Sequence, residues 1–193
     1  MNEALLIFVR PPELGKVKTR LAAQIGAQKA LDVYIRLLQH TKKTVSALSC
    51  HQFVFTTGKQ HDDFWKGFSL QQQTGKDLGE RMQNAFQSLF EKGYEKVLII
   101  GSDCPSLTAD IIQKGFEALD ENDMVIGPAE DGGYYLLGMK RMHTRIFHNK
   151  QWSTNTVYAD TLKDIEVLAL RYSTLPMLND VDELKDVPEG WLL

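Results

Sequence analysis

At 193 residues the chain is long enough for one domain with a full hydrophobic core and short for two, so residues 1–193 read as a single domain. Hydrophobic residues at 43% and charged residues at 24% exclude a disordered or fibrous chain. A formal net charge of −3 gives no footing for broad nucleic-acid binding, so any phosphate site must come from locally placed cations. The two cysteines, Cys50 and Cys104, exclude a disulfide framework and point to a reducing compartment. The apolar run Ala4–Val9 is too short for a signal-peptide core, and no stretch approaches the roughly 20 apolar residues of a membrane span. A cytoplasmic protein is expected.

Ala4–Val9 is nearly continuous in apolar character and reads as a strand buried on both faces. After a polar loop, Leu31, Tyr34, Leu38, Thr41, Val45 and Leu48 recur at steps of three and four, which predicts a long amphipathic helix with Gly26 near its start. Gln52–Thr57 reads as a second strand and Ser69–Thr74 as a short third. A helix from about Leu78 to Lys92 is expected to end at Gly93. Val97–Ile100 is the second strongly buried strand, and Thr108 is placed to cap a helix from Ala109 to about Leu119. Met124–Ile126 and Tyr134–Leu137 are strands too close in sequence for a crossover helix, so they pair antiparallel or bend. Ser153 or Thr154 should start a helix through Lys163. Val167–Leu170 reads as a late strand, and Asp182–Asp186 as a closing helical turn before Pro188. Strands separated by helices predict a layered α/β sandwich, with ligands at the carboxyl ends of the strands.

Three loops fall at such ends. Arg10-Pro11-Pro12-Glu13-Leu14-Gly15-Lys16-Val17-Lys18-Thr19-Arg20 places Arg10, Lys16, Lys18 and Arg20 between a buried strand and a helix start. Mobile cations beside free helix N–H groups suit a di- or triphosphate, with a solvated basic loop as the plain alternative. It is neither a P-loop nor a dinucleotide fingerprint, because Val17 follows Lys16 and no second glycine lies two residues from Gly15. In Gly101-Ser102-Asp103, the carboxylate directly after a buried strand suits a hard Mg²⁺ or Mn²⁺ ion, against the alternative of a turn aspartate bonded to nearby backbone. Gly127-Pro128-Ala129-Glu130-Asp131-Gly132-Gly133 is first a hairpin signal. Its functional version has Gly132 and Gly133 admitting a ligand close to the backbone, with Glu130 or Asp131 in contact.

Weaker signals follow. Arg81, near the start of the third-strand helix, faces a ligand or is a surface charge. Trp152-Ser153-Thr154-Asn155 reads as an N-cap with an aromatic staple, or as an acceptor wall. Asn179-Asp180-Val181-Asp182-Glu183 is by default a solvated acidic turn. The histidines at 40, 51, 61, 143 and 148 form no ligand pair, so zinc hydrolysis gains no support.

Taken together and in this order, Pro11-Pro12…Gly15-Lys16-Val17-Lys18-Thr19-Arg20-Leu21, Asp77-Leu78-Gly79-Glu80-Arg81-Met82, Gly101-Ser102-Asp103-Cys104-Pro105, Asp131-Gly132-Gly133-Tyr134-Tyr135, Trp152-Ser153-Thr154 and Asp180-Val181-Asp182 resemble the bacterial DUF2064 or glycosyltransferase-like family. That family has the nucleotide-diphospho-sugar transferase (GT-A) fold. A more distant similarity runs to the guanylyltransferase of coenzyme F420 biosynthesis and to molybdenum-cofactor nucleotidyltransferases. The resemblance implies a three-layer α/β/α sandwich on a mainly parallel, mixed sheet. It also implies a metal on Asp103, completed by Asp182, and a phosphate loop at the basic N-terminal segment. The sequence departs from sugar nucleotidyltransferases in replacing their glycine-rich GxGxR loop by a proline-containing basic one.

Two reactions are compatible with these residues. The first reading is glycosyl transfer from a nucleotide sugar to a small acceptor, with Asp131 or Glu130 as general base and Mg²⁺ or Mn²⁺ on the diphosphate. The alternative is nucleotidyl transfer from a nucleoside triphosphate to a small phosphate- or carboxylate-bearing substrate, with Arg10, Gly15, Lys16, Lys18, Arg20 and Arg81 on the nucleotide. In either, Gly132, Gly133, Trp152 and Ser153 would line the acceptor side. A third reading is a non-catalytic nucleotide-binding regulator.

Overall fold

The computed structural model describes residues 2–58 and 63–192. Among these residues seven strands form one sheet: β1 (Glu3–Val9), β2 (His51–Thr56), β3 (Ser69–Gln72), β4 (Lys96–Ile100), β5 (Met124–Pro128), β6 (Tyr134–Met139) and β7 (Tyr172–Thr174). Their order is β3-β2-β1-β4-β6-β5-β7, and every adjacent pair is parallel except the two made by β6. The short connection between Met124–Ile126 and Tyr134–Leu137 therefore resolves as antiparallel pairing, with a register shift at Gly127/Pro128.

Among the described residues five α-helices connect the strands: α1 (Thr19–Ile25), α2 (Ala27–Val45), α3 (Leu78–Glu91), α4 (Ala109–Glu121) and α5 (Val157–Val167). Successive residues of β1 point to opposite faces, and each face has its own core. Leu5, Ile7 and Val9 pack with Leu21 of α1, Val33 and Leu37 of α2, and Ile112 and Phe116 of α4. Ala4 and Leu6 pack with Met82 and Phe86 of α3, Ile165 of α5 and the 3₁₀ turn Thr144–Phe147. The result is the expected three-layer sandwich. It also explains why β1 and β4 read as unbroken apolar runs, since both of their faces are covered.

Two local expectations are corrected. Val167 is the last residue of α5, and Ala169 turns the chain at φ 51°, so the late strand is Tyr172–Thr174 rather than Val167–Leu170. Helix α5 starts at Val157, with Thr156 at its cap and no side-chain cap bond, so Trp152–Asn155 is not its N-terminal staple.

The sheet grows outward from β1 through β2 and β3, then resumes on the other flank with β4. That reversal sets the carboxyl ends of β1 and β4 side by side, where sheets of this type usually form their ligand crevice.

Candidate functional site

At the end of β1 the chain is pinned by Tyr34 of α2. Its hydroxyl accepts from the Arg10 N–H and donates to the Arg10 carbonyl, both at 3.0 Å. Burial first, and then the Asp103 charge, push the Tyr34 phenol up to about 12, so it stays protonated and keeps both bonds. Pro11 packs against Gly58, where a Cβ would lie 3.0 Å from the Pro11 ring. The loop then turns through Gly15 at φ 75°. Lys16 is exposed and pairs with Glu13 at 2.5 Å.

Lys18 behaves otherwise. It sits at the start of α1 in the left-handed conformation, φ 48° and ψ 47°, which a residue with a Cβ rarely adopts. Its side chain is only 6% exposed, and its ammonium lies 2.7 Å from Asp103 Oδ1 and donates to the Val181 carbonyl at 2.7 Å. Two residues further on, Arg20 pairs with Asp182.

The acid side comes from two distant segments. Strand β4 delivers Ser102, buried, and Asp103, part-exposed, into the crevice. After β7 the chain follows β5: the Leu175 N–H donates to Ile126, Leu178 to Pro128, and Glu130 to Leu178. It then crosses to β4, where the Val181 N–H donates to the Asp103 carbonyl at 2.9 Å. Val181 is fully buried, and its two neighbours have different surroundings. Asp182 turns to Arg20, whereas Asp180 turns inward, with an Oδ1 that is buried and has no hydrogen-bond partner among the described residues. Burial and then the Asp103 charge push the Asp180 carboxyl up to about 7, with Asp131 and Asp182 adding to the rise and Lys18 opposing it.

The other flank of the crevice is shaped by glycines. The β5–β6 turn is closed by Ala129 and Gly133, and the Asp131 carboxylate accepts from the Gly133 N–H at 2.8 Å. Glu130 and Asp131 are exposed there. Gly132, at φ 85°, has no room for a side chain: a Cβ would lie 2.1 Å from the Asn155 carbonyl oxygen. Its own carbonyl accepts from the Tyr158 N–H. At the start of α3, a Cβ on Gly79 would lie 2.4 Å from the Trp152 indole nitrogen. Segment 152–155 is thus docked by glycine notches on two elements, while Ser153 is exposed at φ 64°. Arg81 is half-buried and donates through Nε to the Gly75 carbonyl at 3.1 Å, so its position is tied to the preceding loop.

Sequence reasoning passed over Tyr34 and Tyr135. The first read only as a helix-face residue; a polar tip on a buried face was the available signal. The second fills the space left by Gly127, and its hydroxyl donates to the Pro176 carbonyl at 2.8 Å, fixing the strand extension that carries Asp180. His40 lies on α2, His51 on β2, and His143 and His148 flank the 3₁₀ turn Thr144–Phe147, while His61 falls outside the described residues. Among the described residues no group of three or more His, Cys, Asp or Glu side chains could hold a metal, so an ion on the aspartates would need oxygens from a ligand or water.

A mainly parallel sheet with a reversed sixth strand, and with acids and cations gathered where strand order reverses, defines a nucleotide-diphospho-sugar transferase-type fold. A solved protein from Desulfovibrio desulfuricans G20, provisionally described as a nucleotide-diphospho-sugar transferase, superposes with a TM-score of 0.88 at 34% identity, covering 94% of this chain and 83% of its own. Residues 37–154, more than half of the chain, match the family model described as "Uncharacterized protein conserved in bacteria (DUF2064)", and the chain belongs to that family. It is also similar to two curated 2-phospho-L-lactate guanylyltransferases. That from Methanocaldococcus vulcanius is 24% identical over 140 residues, covering 70% of this chain and 61% of the relative. That from Methanocaldococcus jannaschii is 26% identical over 137 residues, covering 70% and 59%. The chain therefore spans about three fifths of the length of these curated relatives. Among the described residues no helix is long and apolar enough to cross a membrane.

Proposed function

We propose that the chain is a divalent-metal-dependent nucleotidyltransferase, which moves a nucleoside monophosphate from a triphosphate to a small phosphate- or carboxylate-bearing acceptor. The supporting observation is the juxtaposition, at the switch point, of a buried lysine, a strand-end aspartate and an orphaned buried carboxylate, next to a cationic loop. Two curated guanylyltransferase relatives favour this reaction over glycosyl transfer, which stood first on the sequence alone. The solved relative's description keeps glycosyl transfer as the second reading.

Asp103 and Asp180 would hold a Mg²⁺ or Mn²⁺ ion together with oxygens from phosphate or water: both are hard oxygen donors, and the buried Oδ1 of Asp180 has no hydrogen-bond partner among the described residues. Such an ion supplies neutralisation of phosphate charge and a template for in-line displacement. On this reading Asp182 orients Arg20 rather than completing the pair, as the resemblance alone would have it. Arg10, Lys16, Lys18, Arg20 and Arg81 surround the triphosphate, with Gly15 letting the loop fold over it. The acceptor lies against the wall made by Gly133, Trp152 and Ser153, in which Gly132 serves to seat segment 152–155 rather than to admit the acceptor.

An acceptor phosphate or carboxylate oxygen attacks the α-phosphorus and forms a P–O bond. The bond from the α-phosphorus to the α–β bridging oxygen breaks, and pyrophosphate leaves with the electron pair. The acceptor is already anionic at neutral pH, so Glu130 and Asp131 need not remove a proton. They would act as a base only toward a hydroxyl acceptor. Two unpaired cysteines, Cys50 and Cys104, support a cytoplasmic setting.

A thermal-shift panel tests the ligand class, because a bound ligand raises apparent stability by mass action. Triphosphates with Mg²⁺ or Mn²⁺ should raise Tm more than nucleotide sugars do. The reverse order supports glycosyl transfer.

A further inference from the structure

Lys18 holds a position that a free divalent ion would need. Its ammonium is almost wholly removed from solvent, a costly state for a lysine unless oxygens surround it. Asp103 Oδ1 and the Val181 carbonyl supply two such oxygens at 2.7 Å each, and Asp180 stands one residue before that carbonyl. The backbone is set to deliver the side chain there: Lys18 keeps a disfavoured left-handed conformation while its carbonyl accepts from the Ala22 N–H at 2.7 Å at the start of α1.

We infer that Lys18 is a tethered cation which occupies the two-aspartate site until a phosphate draws it away, so that a divalent ion enters together with nucleotide rather than before it. The inference deepens the proposed function and rests on its assignment of Asp103 and Asp180. An ion on Asp103 would lie about 2.1 Å from its oxygen, and hence within about 5 Å of an ammonium left in place, in a partly dry crevice where like charges repel strongly. One cation must leave. Lysine has the four-carbon stem to do so, and a phosphate gives its ammonium a more highly charged partner than a single carboxylate. By linkage, whatever phosphate binding gains by capturing Lys18, divalent-ion affinity gains equally.

The test is Mn²⁺ binding to the nucleotide-free full chain, read from the electron paramagnetic resonance signal of the free ion, in wild type, Lys18→Met and Lys18→Gln. Both variants should bind Mn²⁺ roughly tenfold or more tightly than wild type. The gain should vanish when Asp180→Asn is added. Equal or weaker binding in both variants overturns the inference. Should the variants fail to fold, the wild-type chain decides by ¹⁵N NMR of its lysine ammonium groups. Mg²⁺ alone should leave the protected Lys18 signal in place, and Mg²⁺ with a non-hydrolysable triphosphate should move it. A shift with Mg²⁺ alone overturns the inference. Tighter Mn²⁺ binding in the variants beside a wild type that transfers no nucleotidyl group keeps the tethered cation and removes the reaction. An active wild type with unchanged Mn²⁺ affinity in the variants removes the tethered cation only.

Discussion

The two flanks of the crevice are held together by different physics. Where β1 meets β4 the contacts are between charges: Lys18 with Asp103, Arg20 with Asp182, and Asp180 buried beside them. On the β5–β6 flank the contacts are steric, and segment 152–155 fits into Gly79 and Gly132 because neither carries a Cβ. Charged contacts can be exchanged for a ligand's charges without rebuilding the fold, whereas a close-packed notch resists even one added methyl group. On the proposed function, the first flank takes the phosphates and the ion, which come and go, and the second is the fixed wall beside the acceptor.

Substitutions separate the flanks by what they damage. Asp103→Asn should leave the fold intact and weaken metal-dependent triphosphate binding by roughly 10- to 150-fold, the equivalent of one charge-assisted contact. Calorimetry with Mn²⁺ and nucleotide measures it, and unchanged affinity would remove Asp103 from the site. Gly132→Ala and Gly79→Ala should do the opposite, costing about 1–3 kcal/mol of stability through overpacking while sparing nucleotide affinity. Urea denaturation gives the cost, and an unshifted midpoint would mean that segment 152–155 yields easily.

A subtler effect is expected from pH. The Asp180 carboxyl titrates near 7 in the folded chain, and an unfolded aspartate does so near 3.9. The folded state thus binds the proton more tightly. Its contribution to stability is complete below the unfolded value and is lost as pH rises through about 7. In metal-free buffer, wild type should lose Tm between pH 5 and pH 8 relative to Asp180→Asn, and parallel profiles would contradict the burial of this acid. The smallest effect belongs to Lys16. Its exposed pair with Glu13 should contribute about 0–1 kcal/mol, so Lys16→Ala should barely move Tm. The same substitution should weaken triphosphate binding more than monophosphate binding, and equal losses for both would reduce the loop to a solvated surface.

The same contrast governs what could be read in advance. Strands β1 and β4 and helices α2, α3 and α4 announce themselves because each packs a long apolar run or stripe into a core. Strand β7 gave no such signal: Tyr172 and Thr174 are exposed, and the apolar Val167–Leu170 before it is the end of a helix and its turn. That Asp103 and the cationic loop stand at strand ends was legible because each directly follows a buried strand. Which of Asp180 and Asp182 is buried beside Asp103 and which pairs with Arg20 was not, because it depends on the path of the chain around Val181, held by the long-range bond to the Asp103 carbonyl. The Gly79–Trp152 and Gly132–Asn155 fits were equally hidden, since a notch is visible only once its occupant is in place.

Transfer of a nucleotidyl group is read directly by ³¹P NMR. Wild-type chain is incubated with Mg²⁺, a guanosine or other nucleoside triphosphate, and a panel of small phosphorylated and carboxylated acceptors. The triphosphate resonances should give way to pyrophosphate and one new α-phosphorus signal, and Asp103→Asn should abolish both. Unchanged triphosphates, alongside release of nucleoside diphosphate from a nucleotide sugar under the same conditions, would contradict nucleotidyl transfer and establish glycosyl transfer instead.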